Sequence, residues 1–495
     1  MAYDKDAEFL STRVVLTAAI VLLPLLYLLS RPEEKDAPPS LAETIPFVSN
    51  TYHKAMTSSN IVRLRLGPVR LYLIKGGQQV QAMFGKSTVM SPDKFIIMVL
   101  RDMQGASEED VARFVDDKSG RHKVPPAGYE DVPSEQRYWH TLHHLSSTGL
   151  AVVDNTAQLA GKYTTFLGEV LEQQPLGEWS TVRLFEYLRR DMGESAIKSL
   201  CGTRFLEVNP DFIEQFWWFD GVSYQVMNGL PQWMDPKPAL ERDRMVAMGE
   251  KFLAEVYDQF DWDGLDPETY WEPTFGCSYC MMELLKGRSL FDAVRAEALQ
   301  ALVVDPKTGK KDFDARKLVS MPLMQSIYVE VMRLHVSIGI TREIMEDTML
   351  DGYRLRKGAL IQAPTNLLHQ DDEIWERDSH KASEFWAERH VRYVAKVDET
   401  TGQTTTEKVF VMAGKPSEFF PYGGGVSMCP GRHFTKQEIL LTLATLVARS
   451  DMELVEWTHM DGTRSDRAAK DNEKYFLNAA VPPDRDVKIW WKRLW

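Results

Sequence analysis

The residues of this chain best spaced for chemistry lie near its C-terminal end, in Phe419–Arg432, FFPYGGGVSMCPGR. Three successive glycines, Gly423, Gly424 and Gly425, permit a sharp turn and a close approach of backbone to a flat ligand. Cys429 follows, then Pro430 and Gly431, then HFTKQEILLTLATLVARS, whose apolar spacing predicts a helix. Proline suits the first turn of a helix, so Cys429 falls at or just before a helix N-terminus. Free N–H groups and the helix dipole there favour thiolate over thiol. A thiolate on a glycine loop is a suitable axial ligand for haem iron, since it donates electron density that favours O–O cleavage. For a lone cysteine the plainer reading is a small buried hydrophobe.

The surrounding pattern decides between them. The loop resembles the haem-binding signature of the cytochrome P-450 superfamily, F-x-x-G-x-R-x-C-x-G. Tyr422 stands for the phenylalanine, Gly425 for the first glycine, Cys429 for the ligand and Gly431 for the last glycine. Ser427 takes the arginine position, which removes one expected partner of a haem propionate but not the ligand.

Other segments fit the same resemblance. Met321–His335 reads as a helix with Pro322 in its first turn, and Glu330 and Arg333, at i and i+3, share a face. On a surface such a pair is worth little. In the family the E-x-x-R pair is internal and joins an arginine from a later loop, here Arg389 in FWAERHV. The resemblance therefore implies a buried network of Glu330, Arg333 and Arg389 behind the haem. Between them, alternating apolar residues and turns at Asp351-Gly352 and Lys357-Gly358 predict a small β-region. Arg342 sits where relatives reach a propionate, a surface arginine being the alternative. Earlier, RYWHTLHH matches the W-x-x-x-R helix through Trp139, with His143 at the basic position, where it would donate to the other propionate; a packed histidine is the alternative. The CPGR ending and SGRHKVPPAGYE look most similar to fungal relatives of the sterol 7α-hydroxylase and prostacyclin synthase branch.

The elements that must position these residues follow. The resemblance implies a mainly α fold with a small β-region: one large domain over 41–495, behind an N-terminal transmembrane helix. Val14–Leu29 is an uncharged, almost wholly apolar run of 16 residues. At 1.5 Å per residue it reaches ~24 Å, and flanking Ser11, Thr12 and Ser30, with Arg13 and Arg31 snorkelling, extend it towards the ~30 Å hydrocarbon thickness. The stretch before it is acidic and no small-x-small site follows, which argues against a cleaved signal peptide. The reading is thus a tail at 1–13, an uncleaved anchor at 14–30 and a stiff, solvated linker at 31–40, RPEEKDAPPS. The implied setting is the endoplasmic reticulum membrane with a cytosolic catalytic domain.

Of the 495 residues, 44% are hydrophobic and 26% charged, ordinary for a globular protein; the net charge of −13 disfavours nucleic-acid binding. The four cysteines are too few for a disulfide framework, and Cys277-x-x-Cys280 lacks the second ligand pair of a zinc site, which leaves two ordinary thiols near the Phe275-Gly276 turn.

The pattern fails at one place. Oxygen-activating members carry a long central helix with an acid–alcohol pair, [AG]-G-x-[DE]-T, and residues 266–300 show none. Either Trp271 and Glu272 align near the pair, with Thr274 just beyond and Pro273 breaking the helix, or most of the helix is missing and MMELLKGRSL is its far end. The second reading is favoured.

The expected function is a haem-dependent monooxygenase acting on a lipophilic molecule, such as a terpenoid, steroid or polyketide of secondary metabolism. No G-x-G-x-x-G unit follows a strand, so electrons must come from a separate NADPH-dependent flavin reductase, with Arg432, His433 and Lys436 in its docking patch or on a plain solvated helix face. The alternatives are a haem-thiolate isomerase or dehydratase needing no reductase, and an inactive haem protein.

Overall fold

The computed structural model describes residues 36–39, 59–66, 69–227, 232–256, 276–397 and 402–495. The expected anchor at 14–30, the tail before it and most of the linker lie outside these residues, as do Trp271, Glu272, Pro273 and Thr274. Among the described residues no helix is long and apolar enough to cross a membrane.

Strands form where branched and aromatic residues alternate. β1 (Ile61–Leu66) and β2 (Val69–Ile74) pair antiparallel, with Ile61 opposite Ile74. β3 (Met90–Ser91), β4 (Val336–Ile344), β5 (Leu360–Pro364) and β6 (Asn478–Ala480) complete the sheet, in the order β1-β2-β5-β4-β6 with β3 also against β4. β5 runs parallel to β2 and antiparallel to β4, where Ile361 faces Arg342 in register. The expected small β-region is therefore present, turns included. Asp351 and Gly352 have φ of 51° and 78°, a left-handed pair that aspartate and glycine tolerate.

Helices make up the rest of the site's frame. They are α1 (Gly77–Gly85), α2 (Tyr138–Ala151), α3 (Gly276–Leu285), α4 (Pro322–His335) and α5 (Arg432–Arg449). Pro322 occupies the first turn of α4, as its fixed φ and missing N–H allow. α5 is buried almost all round, with Phe434, Ile439, Leu443 and Val447 at 1% exposure or less, so it forms the spine of the main core. Met281 of α3 and Met324 and Ile327 of α4 join that core.

The cysteine pair is helical: α3, described from Gly276, contains both cysteines. Burial pushes the Cys280 thiol up to about 12, with Glu283 adding to the effect, so this sulfur is inert at neutral pH. No cluster of three potential metal ligands exists among the described residues.

Candidate haem-thiolate site

The site is built first by the loop before α5. A short 3-10 turn over Gly425–Ser427 leads into Cys429, and Gly431 caps α5. Pro430 therefore precedes the cap rather than entering the first turn, and Cys429 stands two residues before that cap. The Cys429 N–H donates to the Tyr422 carbonyl at 3.0 Å, and Arg432 Nη1 donates to the Cys429 carbonyl at 2.9 Å. The loop is thus closed on itself around the sulfur. The Tyr422 hydroxyl shares a 2.7 Å hydrogen bond with that of Tyr328 on α4, a contact phenylalanine cannot make.

The glycines serve packing against protein as well as approach to a ligand. A Cβ on Gly424 would meet the Phe84 ring at 2.3 Å, and one on Gly425 (φ 66°) would meet the Phe84 carbonyl oxygen at 2.6 Å. Phe84 closes α1, so these glycines seat the loop on that helix. Gly424→Ala is expected to lower haem content and stability by ~1–3 kcal/mol, the range for overpacking, and Phe84→Leu in the same chain to restore part of it. Gly425→Ala should resist that rescue, because its obstacle is backbone. Equal rescue of both, by urea unfolding and haem absorbance, would contradict the packing account.

Cys429 lines a cavity of about 440 Å³, with Val331, Ile338, Ile340 and Ala480 among its apolar walls. Trp139, His143, Arg342 and Tyr422 also line it, so four expected site residues meet around Cys429; Ser427, at the arginine position of the signature, lines it too. Arg342 is 4% exposed and donates from Nη2 to the Gly424 carbonyl at 2.9 Å, which overturns the surface-arginine reading. Its guanidinium is pushed down to about 10, by burial first and then by the charge of Arg121, while Asp93 acts the other way. The Trp139 indole N–H is taken by the Phe114 carbonyl at 2.8 Å. The ring stacks under the Arg121 guanidinium, 3.9 Å from the centroid. His143 is exposed on α2, and burial, then Arg121, holds its pKa below the usual value. An apolar slot with the Cys429 thiol on its wall, the buried Arg342 and the partly buried Arg121 at its edge suits haem, a flat apolar ring carrying two carboxylates.

Behind the loop, Glu330, Arg333 and Arg389 are all fully buried. Glu330 accepts from Arg333 Nε at 2.8 Å and Nη2 at 3.0 Å, from Arg389 Nε at 2.9 Å and from the Trp386 N–H at 3.1 Å. Burial would raise the Glu330 pKa, but His390, Arg333 and Arg389 outweigh it and hold it at about 2. The buried network that the resemblance implied is therefore formed.

Two members were not foreseen. His390 Nε2 lies 3.3 Å from Glu330 Oε1, while its Nδ1 accepts from the Ala413 N–H at 3.0 Å, which places the proton on Nε2. His369, 0% exposed, ties the network to the thiolate loop. Its carbonyl accepts from Arg333 Nη1 at 2.7 Å and its Nε2 accepts from the Phe420 N–H at 3.0 Å. No spacing in the sequence marks either histidine.

Burial, then the Arg333 charge, pushes the His369 pKa down to about 3. The unfolded chain then binds a proton that the folded chain refuses, so stability present above about pH 6.5 is lost as pH falls from there towards 3. The slope for one proton is ~1.4 kcal/mol per pH unit. His369→Gln, which keeps an acceptor for Phe420, is expected to flatten the urea-unfolding slope between pH 6.5 and 5. An unchanged slope would place the titration elsewhere.

Of the supposed docking cations, Lys436 is turned inward: its Nζ donates to Gln325 Oε1 at 2.9 Å and burial lowers its pKa. His433 is exposed and Arg432 half-buried.

Comparison with known proteins completes the assignment. The Cytochrome P450 family profile matches residues 274–473. "Cytochrome P450 monooxygenase calL" of Penicillium decumbens is 39% identical over 509 aligned positions, covering 92% of this chain and 93% of the relative. The chain belongs to the cytochrome P450 family, a family of haem monooxygenases. A partial match, 30% over 150 residues, covers 29% of this chain and 33% of the 25-hydroxycholesterol 7-alpha-hydroxylase of Rattus norvegicus. A structure of retinoic acid-bound cyanobacterial CYP120A1 superposes with a TM-score of 0.60 at 16% identity, covering 93% of this chain and 100% of that one. Since 92% of 495 residues is about 455, roughly fifty of the 509 positions shared with the fungal relative have no counterpart here.

Proposed function

We propose that this protein is a haem-dependent monooxygenase oxidising a lipophilic small molecule of fungal secondary metabolism, of terpenoid, steroid or polyketide type. The observation that carries the reading is the meeting of Cys429 with an apolar cavity edged by the buried Arg342 and the partly buried Arg121. Haem held there supplies activation of O2 and insertion of one oxygen atom into a C–H bond of the substrate. The protein's own part is positional. Cys429 holds the iron, Arg342 meets a propionate, and the Glu330–Arg333–Arg389 network with His369 keeps the loop in place. Ile338, Ile340 and Ala480 shed water from the substrate side, where apolar burial contributes ~25 cal/mol per Å². Electrons come from a separate NADPH-dependent flavin reductase, and residues 14–30 anchor the enzyme at the endoplasmic reticulum with its catalytic domain cytosolic.

The test is reconstitution of the full chain with a fungal reductase and a panel of apolar terpenoids, steroids and polyketides. NADPH-dependent product carrying one atom from labelled O2 is expected. Product formed without NADPH or O2 would establish the isomerase or dehydratase reading instead.

A second reading is favoured by one observation. Roughly fifty of the positions aligned with the fungal relative carry no residue of this chain. On that reading part of the central helix is missing, Glu272 and Thr274 carry no protons, and the chain binds haem without turnover. Sequencing the transcript across Cys277–Met282 separates the two: a longer transcript restores the acid–alcohol segment, and an unchanged one leaves a natural deletion.

A further inference from the structure

Ser427 stands where the family's signature has an arginine, so one propionate contact must be made otherwise or lost. We infer that Arg121, a loop residue of the SGRHKVPPAGYE segment to which the sequence reading gave no role, is a propionate-binding residue that replaces that arginine.

Four observations converge on it. Arg121 lines the same cavity as Cys429, Ser427 and Arg342. Its side chain is 12% exposed, ion-paired to Asp93 and laid flat on the Trp139 ring, so its position is fixed and its positive charge poorly hydrated. The loop that carries it is pinned: Arg137 donates to the carbonyls of His122 at 2.5 Å and Lys123 at 3.0 Å, and Asp117 accepts from the N–H groups of Ser119 and Trp139. Finally, the charge of Arg121 disfavours that of Arg342 across the cavity, and burial lowers the pKa of both. Two partly desolvated cations face one apolar slot; of the carboxylates acting on Arg121, Asp93 is itself half exposed to water and Asp117 is already engaged by the Ser119 and Trp139 N–H groups. A dianionic ring edge between them supplies the missing charge, through charge-assisted hydrogen bonds to planar guanidinium groups. Trp139, whose N–H is already spent on Phe114, acts as the platform for Arg121 rather than as a donor.

The inference rests on the haem cofactor alone and holds whatever the substrate. It is tested by haem transfer to excess apomyoglobin from wild type, Arg121→Gln, Ser427→Arg and the double variant, with haem and haem dimethyl ester as probes. Glutamine keeps a planar group over Trp139, which limits damage to the fold. Arg121→Gln is expected to release haem roughly ten-fold faster and to release the ester, which lacks propionate charges, at the wild-type rate. Ser427→Arg should change release by less than about two-fold in wild type yet restore it in Arg121→Gln, a non-additivity that marks a shared partner. Wild-type release from Arg121→Gln, equal acceleration for haem and ester, or no rescue by Ser427→Arg would each overturn the assignment. If Arg121→Gln fails to accumulate, Arg121→Lys, which keeps the charge, must hold haem better than ester by the wild-type ratio; a lost preference would reject the proposal.

Discussion

Replacing Cys429 by alanine is expected to abolish the thiolate-type Soret band in the carbon-monoxide difference spectrum of the reduced protein. Wild type should show that band. The effect is all-or-none because the remaining described sulfurs are poorly placed to substitute. Cys280 is fully buried with its thiol held protonated, and Cys201, at the end of a helix, packs against core clusters separate from the main one. Neither lines the cavity. The loop itself should survive, since the backbone bonds of Cys429 to Tyr422 and Arg432 involve no sulfur. The variant is therefore expected to fold, with an unfolding midpoint in the haem-free form close to wild type, while losing the spectral signature. A thiolate band persisting in Cys429→Ala would sink the ligand assignment.

Arg389→Ala is expected to cost ~3–5 kcal/mol and most of the bound haem, the range for removing one partner of a buried ion network. The residue is tied by far more than one charge. Besides Glu330, it donates to the carbonyls of Trp375, His380, Lys381 and Glu384, at 2.5, 3.2, 2.9 and 2.7 Å. Alanine strands those carbonyls and leaves Glu330 with less positive charge beside it. Arg389→Lys should recover little, because an ammonium cannot reproduce a planar fork aimed at five acceptors. Urea unfolding and haem content check both variants, and near-wild-type stability for Arg389→Lys would refute the fork argument. Glu330 also sets an acid limit. Its folded pKa of about 2 lies below its unfolded value near 4.5, so the stability it contributes is complete above about pH 4.5 and disappears as pH falls towards 2.

How much of this was legible in the chain depended on whether the signal was local. Glu330 and Arg333 lie one helical turn apart, so their pairing follows from spacing, and α4 forms as Pro322 suggests. The hairpin at Asp351-Gly352 is equally local. Cys429, Gly425 and Gly431 were found through the signature, but the reason for Gly424 and Gly425 was not, because Phe84 meets them across most of the chain. Arg121 escaped for the same reason. A loop arginine acquires meaning only when folding lays it on Trp139 opposite Arg342, and no periodicity records that. His369 sits in a segment read for strands and turns and His390 beside Arg389 in FWAERHV, and in neither place does a buried histidine have a distinguishing pattern. The cysteine pair, read as two ordinary thiols because no second ligand pair follows it, lies in a helix whose Cys280 is buried.

The bridge made by His369 has a consequence for biosynthesis. Its carbonyl is held by Arg333 and its ring by Phe420, while the glycines beyond rest on Phe84 and the cavity wall includes Ala480 of β6, paired with Val336. No half of the chain contains a complete pocket. Loop closure over such separations is slow, and the long-range pairings must precede any reward from them. Haem capture is thus confined to a late moment, after the C-terminal strands have left the ribosome, and a chain starved of haem should accumulate with α5 formed but its thiolate loop open to proteases.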